Sequence, residues 1–207
     1  MTLQLPGTMV LAGAGNMGGA LLAGWLERGL DPKCIHVQDP SPPPSMAALL
    51  ARHGIASAPA VCVDAPPAVI LVAVKPQIMD QVFPGLAKLA GPETVVLSVA
   101  AGKTVQSFER NLPEGSAVVR SIPNTPAQVG RGITVCYANP HVTAAQKGIC
   151  QSLLEAVGAV DWVDDESLID AATAVSGSGP AYVFYLAEAL AEAGVRAGLP
   201  ADVAARL

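Results

Sequence analysis

VLAGAGNMGGALLAGWLERG, residues 10–29, is the stretch on which the reading of the fold turns. Within it Gly13, Gly15 and Gly18 have the G-x-G-x-x-G spacing of a dinucleotide-binding turn. The context suits the motif: TMVLAG (8–13) reads as a short buried strand, and helix-forming residues follow from Met17 to about Arg28, with Gly29 as a stop. Gly13 permits the tight turn, Gly15 lets a pyrophosphate approach the backbone, and Gly18 lets helix and strand pack closely. Unpaired N–H groups and the dipole of the following helix favour an anion there. Asn16 and Met17 belong to the same turn.

Outward from this stretch, strands and helices alternate. CIHVQD (34–39) reads as a strand, SPPPS (41–45) as a turn and MAALLARHG (46–54) as a helix. AVILVAV (68–74) is continuously apolar and rich in β-branched residues, as a strand covered on both faces is. Residues 76–91 carry a helical pattern kinked near Pro84, and TVVLSVA (94–100) repeats the buried-strand pattern. AVVRSIP (117–123) and GITVCYA (132–138) read as later strands, 143–158 as an amphipathic helix and AVDWV (159–163) as a final short strand. This alternation predicts an α/β fold, a Rossmann-like, doubly wound, mainly parallel sheet. No strand is expected beyond about Asp164. The expected division is a dinucleotide-binding domain over 1–164 and an all-helical dimerisation domain that begins at 165 and is incomplete at 207. Its helix at 180–197 is apolar around much of its circumference and calls for cover on several sides, from a second copy or from further helices.

Composition narrows the function classes. The 207-residue chain is 51% hydrophobic and 14% charged, with a net charge of −5 and no dense Lys/Arg run. A folded protein with a large core is expected, and neither nucleic acid nor membrane as a partner. No apolar run has the length of a membrane span, and the N-terminus lacks the basic region of a signal peptide. Cys34, Cys62, Cys136 and Cys150 are widely spaced, as expected of buried free thiols in a reducing cytoplasm, and no metal site is expected. His36, His53 and His141 form no metal-ligand spacing, and no nucleophile elbow or P-loop occurs.

Further candidate site residues lie where strands end. Asp39 closes the second strand, about 20 residues past the glycine turn, where an acid bonds the ribose 2′-hydroxyl and favours NAD. It reads equally as the cap of a turn with Pro40, and Ser41 offers a hydroxyl to a phosphate. Lys75 in AVKPQ (73–77) ends the strongest strand, within reach of phosphate or carboxylate or simply in solvent. SVAAG (98–102) brings small residues to the next strand end, and SIPNTP (121–126) holds Asn124 and Thr125 between prolines. SGSGP (176–180), with Ser176, reads as a joint whose following helix N-terminus takes a carboxylate or is merely capped.

Taken in order, GAGNMGGAL, LVAVKPQ, SVAAG, IPNTPAQVGRGIT and LIDAATAVSGSGPAYVFYLAEALAEAGVRAGLP resemble pyrroline-5-carboxylate reductase over residues 8–207. The resemblance implies hydride transfer from NADPH or NADH to the C=N of 1-pyrroline-5-carboxylate, giving L-proline, in a homodimer or higher homo-oligomer. It places the pyrophosphate on Gly13–Gly18 and the adenosine ribose or its phosphate at Ser41. It places the nicotinamide near Val74, Lys75, Pro76, Ala100, Ala101 and Asn124, with Glu166 as a substrate-proximal acid and Asn124 and Ser176 also near the substrate. Family members continue past the position of Leu207 with a Gly-, Ser- and Thr-rich substrate segment, so the resemblance names no catalytic residue here. The alternatives are a β-hydroxyacid-dehydrogenase-like reductase or a nucleotide-binding protein without activity. The former needs a Lys or His early in the helical part, and residues 167–199 hold neither. An imine reductase makes smaller demands: a protonated imine is already electrophilic, and positioning it matters more than a strong general acid.

Overall fold

The computed structural model describes residues 2–207. Strand β1 (Met9–Ala12) leads through the glycine turn into helix α1 (Asn16–Glu27). Strand β2 (Ile35–Gln38), helix α2 (Pro44–Arg52) and the two-residue strand β3 (Ser57–Ala58) follow. Next come β4 (Val69–Val72), α3 (Met79–Ala87), β5 (Val95–Ser98) and a short α4 (Val105–Glu109). The sheet is completed by β6 (Ala117–Pro123), β7 (Gly132–Ala138), α5 (Ala144–Leu154) and β8 (Gly158–Trp162). The rest is helical: α6 (Leu168–Ala172), α7 (Gly179–Arg196) and α8 (Ala201–Arg206).

The eight strands lie in the order β3-β2-β1-β4-β5-β6-β7-β8. All neighbours run parallel except β6 and β7, which pair antiparallel. The doubly wound, mainly parallel sheet read from the sequence is therefore the observed one. Alternation along the strands divides the core into two layers. Met9, Leu11, Leu71 and Leu97 face α1 and α5, where Leu21, Trp25 and Leu153 are buried. Val10, Ile70, Val72 and Val96 face α3 and α4, where Phe83 and Phe108 meet edge to face at 4.9 Å. The period-2 alternation with both faces covered is why these strands read as unbroken apolar runs.

The reversal at β6 has local causes. Pro123 ends the strand, a 3₁₀ turn over Thr125–Val129 changes the chain's direction, and Gly130 closes it at φ +68°. The Asn124 side-chain oxygen accepts a hydrogen bond from the Ile133 N–H (3.0 Å), which ties the corner to the start of β7.

Several element readings need correction. The expected helix at 76–91 is a 3₁₀ turn over Pro76–Ile78 followed by α3, with Pro84 inside it. Strand β3 and helix α4 had no counterpart in the sequence reading. SGSGP is not a joint that opens a fresh helix. A π-helical stretch over Thr173–Gly177 carries α6 into α7, and the Ser178 N–H bonds the Thr173 carbonyl. Of the two readings of that joint, neither a carboxylate nor a cap is met by a free helix N-terminus, because the helix runs on through it.

Candidate active site

Strand order reverses between β1 and β4: β1 continues to β2 on one side, whereas β4 returns to β1's other edge. Ligands of open α/β sheets bind beyond the carboxyl ends of the strands at such a point. The glycine turn leaves β1 there, and Ala73, Val74 and Lys75 leave β4.

The three glycines have different structural reasons. Gly13 stands at φ +91°, and a Cβ on it would lie 2.7 Å from the Ala73 carbonyl oxygen. A Cβ on Gly18 would overlap the Gly13 carbonyl oxygen and lie 3.1 Å from the Ala73 Cβ. These two let the turn and α1 press onto the β4 end. Around Gly15 nothing lies within 4 Å of where a Cβ would stand. The space it leaves opens on a cleft of about 280 Å³ lined by Ala14, Gly15, Asn16, Ser45, Met46 and Gln128 among others. No side chain caps α1 at Gly15, and its first turn holds no acid. The first-turn N–H groups, which an α-helix cannot satisfy internally, are left for an anion. This is a cradle of the shape and polarity that a pyrophosphate requires.

Asp39, at the end of β2, is half-buried. One carboxylate oxygen accepts the Ala14 N–H (2.7 Å) and the other the Ser41 N–H (2.9 Å), so Asp39 joins the β2 end to the glycine turn. Ser41 itself is exposed.

On the other side of the crevice, Val74 and Pro76 are half-buried, and Lys75 is exposed. Ala100 is buried, its N–H bonded to the Ser98 hydroxyl (3.2 Å), while Ala101 is exposed beside it. Asn124 is 9% exposed at the end of β6; among the described residues no hydrogen bond uses its Nδ2 donor.

Glu166 sits where the helical part meets the sheet. Its Oε1 accepts the Val105 N–H (2.8 Å) at the start of α4 and one from Arg120 Nη1 (3.1 Å). Arg120 reaches Asp170 through Nη2 (2.9 Å). The Arg120 side chain is 6% exposed, against 27% for Glu166 and 80% for Asp170. Glu166 is thus an anchor of β6, α4 and α6, with Oε2 unengaged by any hydrogen bond among the described residues. Ser176 lies on the π-helical stretch, where its hydroxyl donates to the Ala172 carbonyl (3.1 Å). A Cβ on Gly177 beside it would stand 3.9 Å from the side chain of Ile122, on β6.

The structure therefore brings together Gly13–Gly18, Asp39 and the β4 end on the nucleotide side. Arg120, Gln128 and Ser45 were missed by sequence reasoning. A lone Arg inside AVVRSIP was a usable signal, since a charge in a buried strand needs a partner. Gln128 reaches the cleft only through the β6–β7 reversal, which no local pattern announces.

The expectation of buried thiols holds for two of the four; Cys34 is half-buried and Cys62 exposed. Cys150, on α5, is pushed up to about 12, and Cys136, on β7, is raised further by burial and by Cys150 nearby. Among the described residues no group of His, Cys, Asp and Glu forms a metal cluster, and no helix is long and apolar enough to cross a membrane.

Comparison with known proteins identifies the family. Residues 166–207 match the family model described as pyrroline-5-carboxylate reductase dimerisation, and residues 8–102 the one described as NADP oxidoreductase coenzyme F420-dependent. A pyrroline-5-carboxylate reductase from Pseudomonas aeruginosa is 42% identical over 197 residues, 94% of this chain and 71% of that one. The pyrroline-5-carboxylate reductase structure from Coxiella burnetii superposes with a TM-score of 0.83 at 32% identity, covering 97% of this chain and 75% of that one. The Plasmodium falciparum pyrroline carboxylate reductase, solved with NADP bound, gives a TM-score of 0.80 at 25% identity, covering 97% and 74%. With this identity spread over nearly its whole length, the chain belongs to the pyrroline-5-carboxylate reductase family.

Proposed function

We propose that the chain works as an NAD(P)H-dependent reductase of 1-pyrroline-5-carboxylate, forming L-proline in a homodimer or larger homo-oligomer in the cytoplasm. The observation that carries this reading is the cradle at Gly15, open at the β1–β4 switch point beneath an uncapped helix. The residues present fit a dinucleotide: Gly13–Gly18 with Asn16 and Met17 hold the pyrophosphate, and Asp39 and Ser41 face the adenosine ribose. Val74, Lys75, Pro76, Ala100, Ala101 and Asn124 flank the nicotinamide. When bound, the dinucleotide supplies the hydride for the C=N carbon. Small side chains at Ala100 and Ala101 admit a flat ring, and Asn124 Nδ2 offers a donor beside it. Glu166 Oε2 provides an acceptor for a protonated imine, while Oε1 stays committed to the fold. Orienting the two reactants and excluding water is the main work left to the protein.

The exposed apolar residues around α7 support the homo-oligomer. Tyr182, Val183, Phe184, Tyr185, Leu186 and Leu190 are each 59–74% exposed. Contiguous apolar surface of this kind marks an association face. The four unpaired cysteines fit a reducing compartment.

The test follows nicotinamide absorbance with 1-pyrroline-5-carboxylate present and absent, and identifies L-proline by chromatography. Substrate-dependent oxidation with proline formed is expected. Nucleotide binding without any imine reduction would refute the reading.

A further inference from the structure

We infer that the adenosine end of this cleft selects NADH over NADPH, with Asp39 and the proline run after it as the specificity device. The inference rests on the dinucleotide reading above and adds to it the choice between the two nucleotides.

A 2′-phosphate needs cations or N–H and O–H donors around it. The loop that follows β2 is DPSPPPS, residues 39–45. Pro40, Pro42, Pro43 and Pro44 have no backbone N–H, so within 40–44 only Ser41 carries one. That single donor is already bonded to Asp39 Oδ1 at 2.9 Å. Helix α2 begins at Pro44 with Pro43 as its N-cap, so its entry offers two fewer donors than an ordinary helix start.

Charge points the same way. No Lys or Arg occurs between Lys33 and Arg52, and none lines the cleft. The one formal charge at the end of β2 is the Asp39 carboxylate, fixed in place by the Ala14 and Ser41 N–H groups. A carboxylate held rigidly at this point accepts hydrogen bonds from a ribose hydroxyl and repels a phosphate dianion. Ser41 and Ser45, both exposed, leave only two hydroxyls and the Ser45 N–H for a phosphate. Neutral donors on an exposed loop do not offset a fixed like charge.

The experiment measures dissociation constants of NADH and NADPH for the full chain by calorimetry at low and high salt. NADH is expected to bind at least about tenfold tighter, with the ratio narrowing as salt screens the repulsion. Asp39→Asn should shrink the ratio by weakening NADH and relieving NADPH. Ser41→Arg leaves Asp39 in place and adds a cation, so it should shrink the ratio by strengthening NADPH. NADPH binding as tightly as NADH to the parent chain, or a ratio unmoved by Ser41→Arg, overturns the inference. Failure of both nucleotides to bind overturns the dinucleotide reading itself, a distinct outcome.

Discussion

Gly15 and Gly18 belong to one motif, yet a methyl group added to each should have opposite consequences. At Gly18 it would overlap the Gly13 carbonyl oxygen and crowd the Ala73 Cβ at 3.1 Å. The crowded atoms are backbone and a short side chain, so α1 must move off β4. Overpacking of this kind costs ~1–3 kcal/mol, and a rigid backbone obstacle puts Gly18→Ala near the upper end. In a chain of this size, ~3 kcal/mol lowers Tm by roughly 6–12 °C. At Gly15 the backbone is at φ −74° and nothing lies within 4 Å of the added methyl. Gly15→Ala replaces one N-cap residue by a poorer one, at about 1 kcal/mol or less, or roughly 2–4 °C. The methyl stands instead where the pyrophosphate would approach. Loss of one charge-assisted N–H contact, ~1.5–3 kcal/mol, weakens nucleotide binding by about 10–100-fold. Thermal melts by circular dichroism together with nucleotide titration by calorimetry separate the two. A Gly15→Ala chain that melts as low as Gly18→Ala, or that binds the nucleotide as the parent does, would refute this division of roles.

Other consequences are open to equally direct measurement. Glu166→Ala strips the buried Arg120 of its better-shielded partner and should cost ~2–3 kcal/mol in urea titrations. Asp170→Ala removes only an exposed partner and should cost under ~1 kcal/mol; equal losses would contradict the assigned geometry. Phe184→Asp, on the exposed face of α7, should shift the protein to the monomer in sedimentation velocity, and an unchanged oligomer would show that this face is not the contact. The folded chain holds the Cys150 proton up to about 12, whereas the unfolded chain releases it near the ordinary thiol value of 9.0. The unfolded state then binds fewer protons, so stability is intact below pH 9 and falls as pH rises toward 12, by roughly 1.4 kcal/mol per pH unit for this thiol. Cys150→Ala should flatten that slope relative to the parent, and identical slopes would sink the assignment.

What the sequence disclosed and what it hid have physical reasons. β1, β4 and β5 are covered on both faces, so they appear as apolar runs that periodicity recovers. The glycine turn was legible because Gly13 and Gly18 are demanded by close approach and Gly15 by open space, three needs that fix one spacing. β3 has two residues and α4 five, too few to show any period. SGSGP misled because Gly, Ser and Pro ordinarily interrupt a helix. Here a π-helical stretch absorbs them, and Pro180 falls in the first turn of α7, where its missing N–H does little harm. The antiparallel pairing of β6 and β7, and with it Gln128 at the cleft, depends on a corner whose tie is a side-chain bond from Asn124, invisible to strand propensity.

Glu166 shows how one residue carries both a motif and a fold. Oε1 takes two donors, and one of them belongs to a buried guanidinium whose desolvation the carboxylate must offset. Removing the acid would leave that cation only the exposed Asp170 as a partner, so Glu166 is held in place by the fold, whatever it contacts. The same pairing fixes where α6, and through the π-helical stretch α7, leave the sheet. The direction in which α7 presents its exposed apolar face therefore depends on an ion pair formed at the edge of the proposed site. A change at Glu166 should therefore alter association as well as the proposed site, and Asp170, which shares Arg120 but is exposed, is the control that tells the two apart.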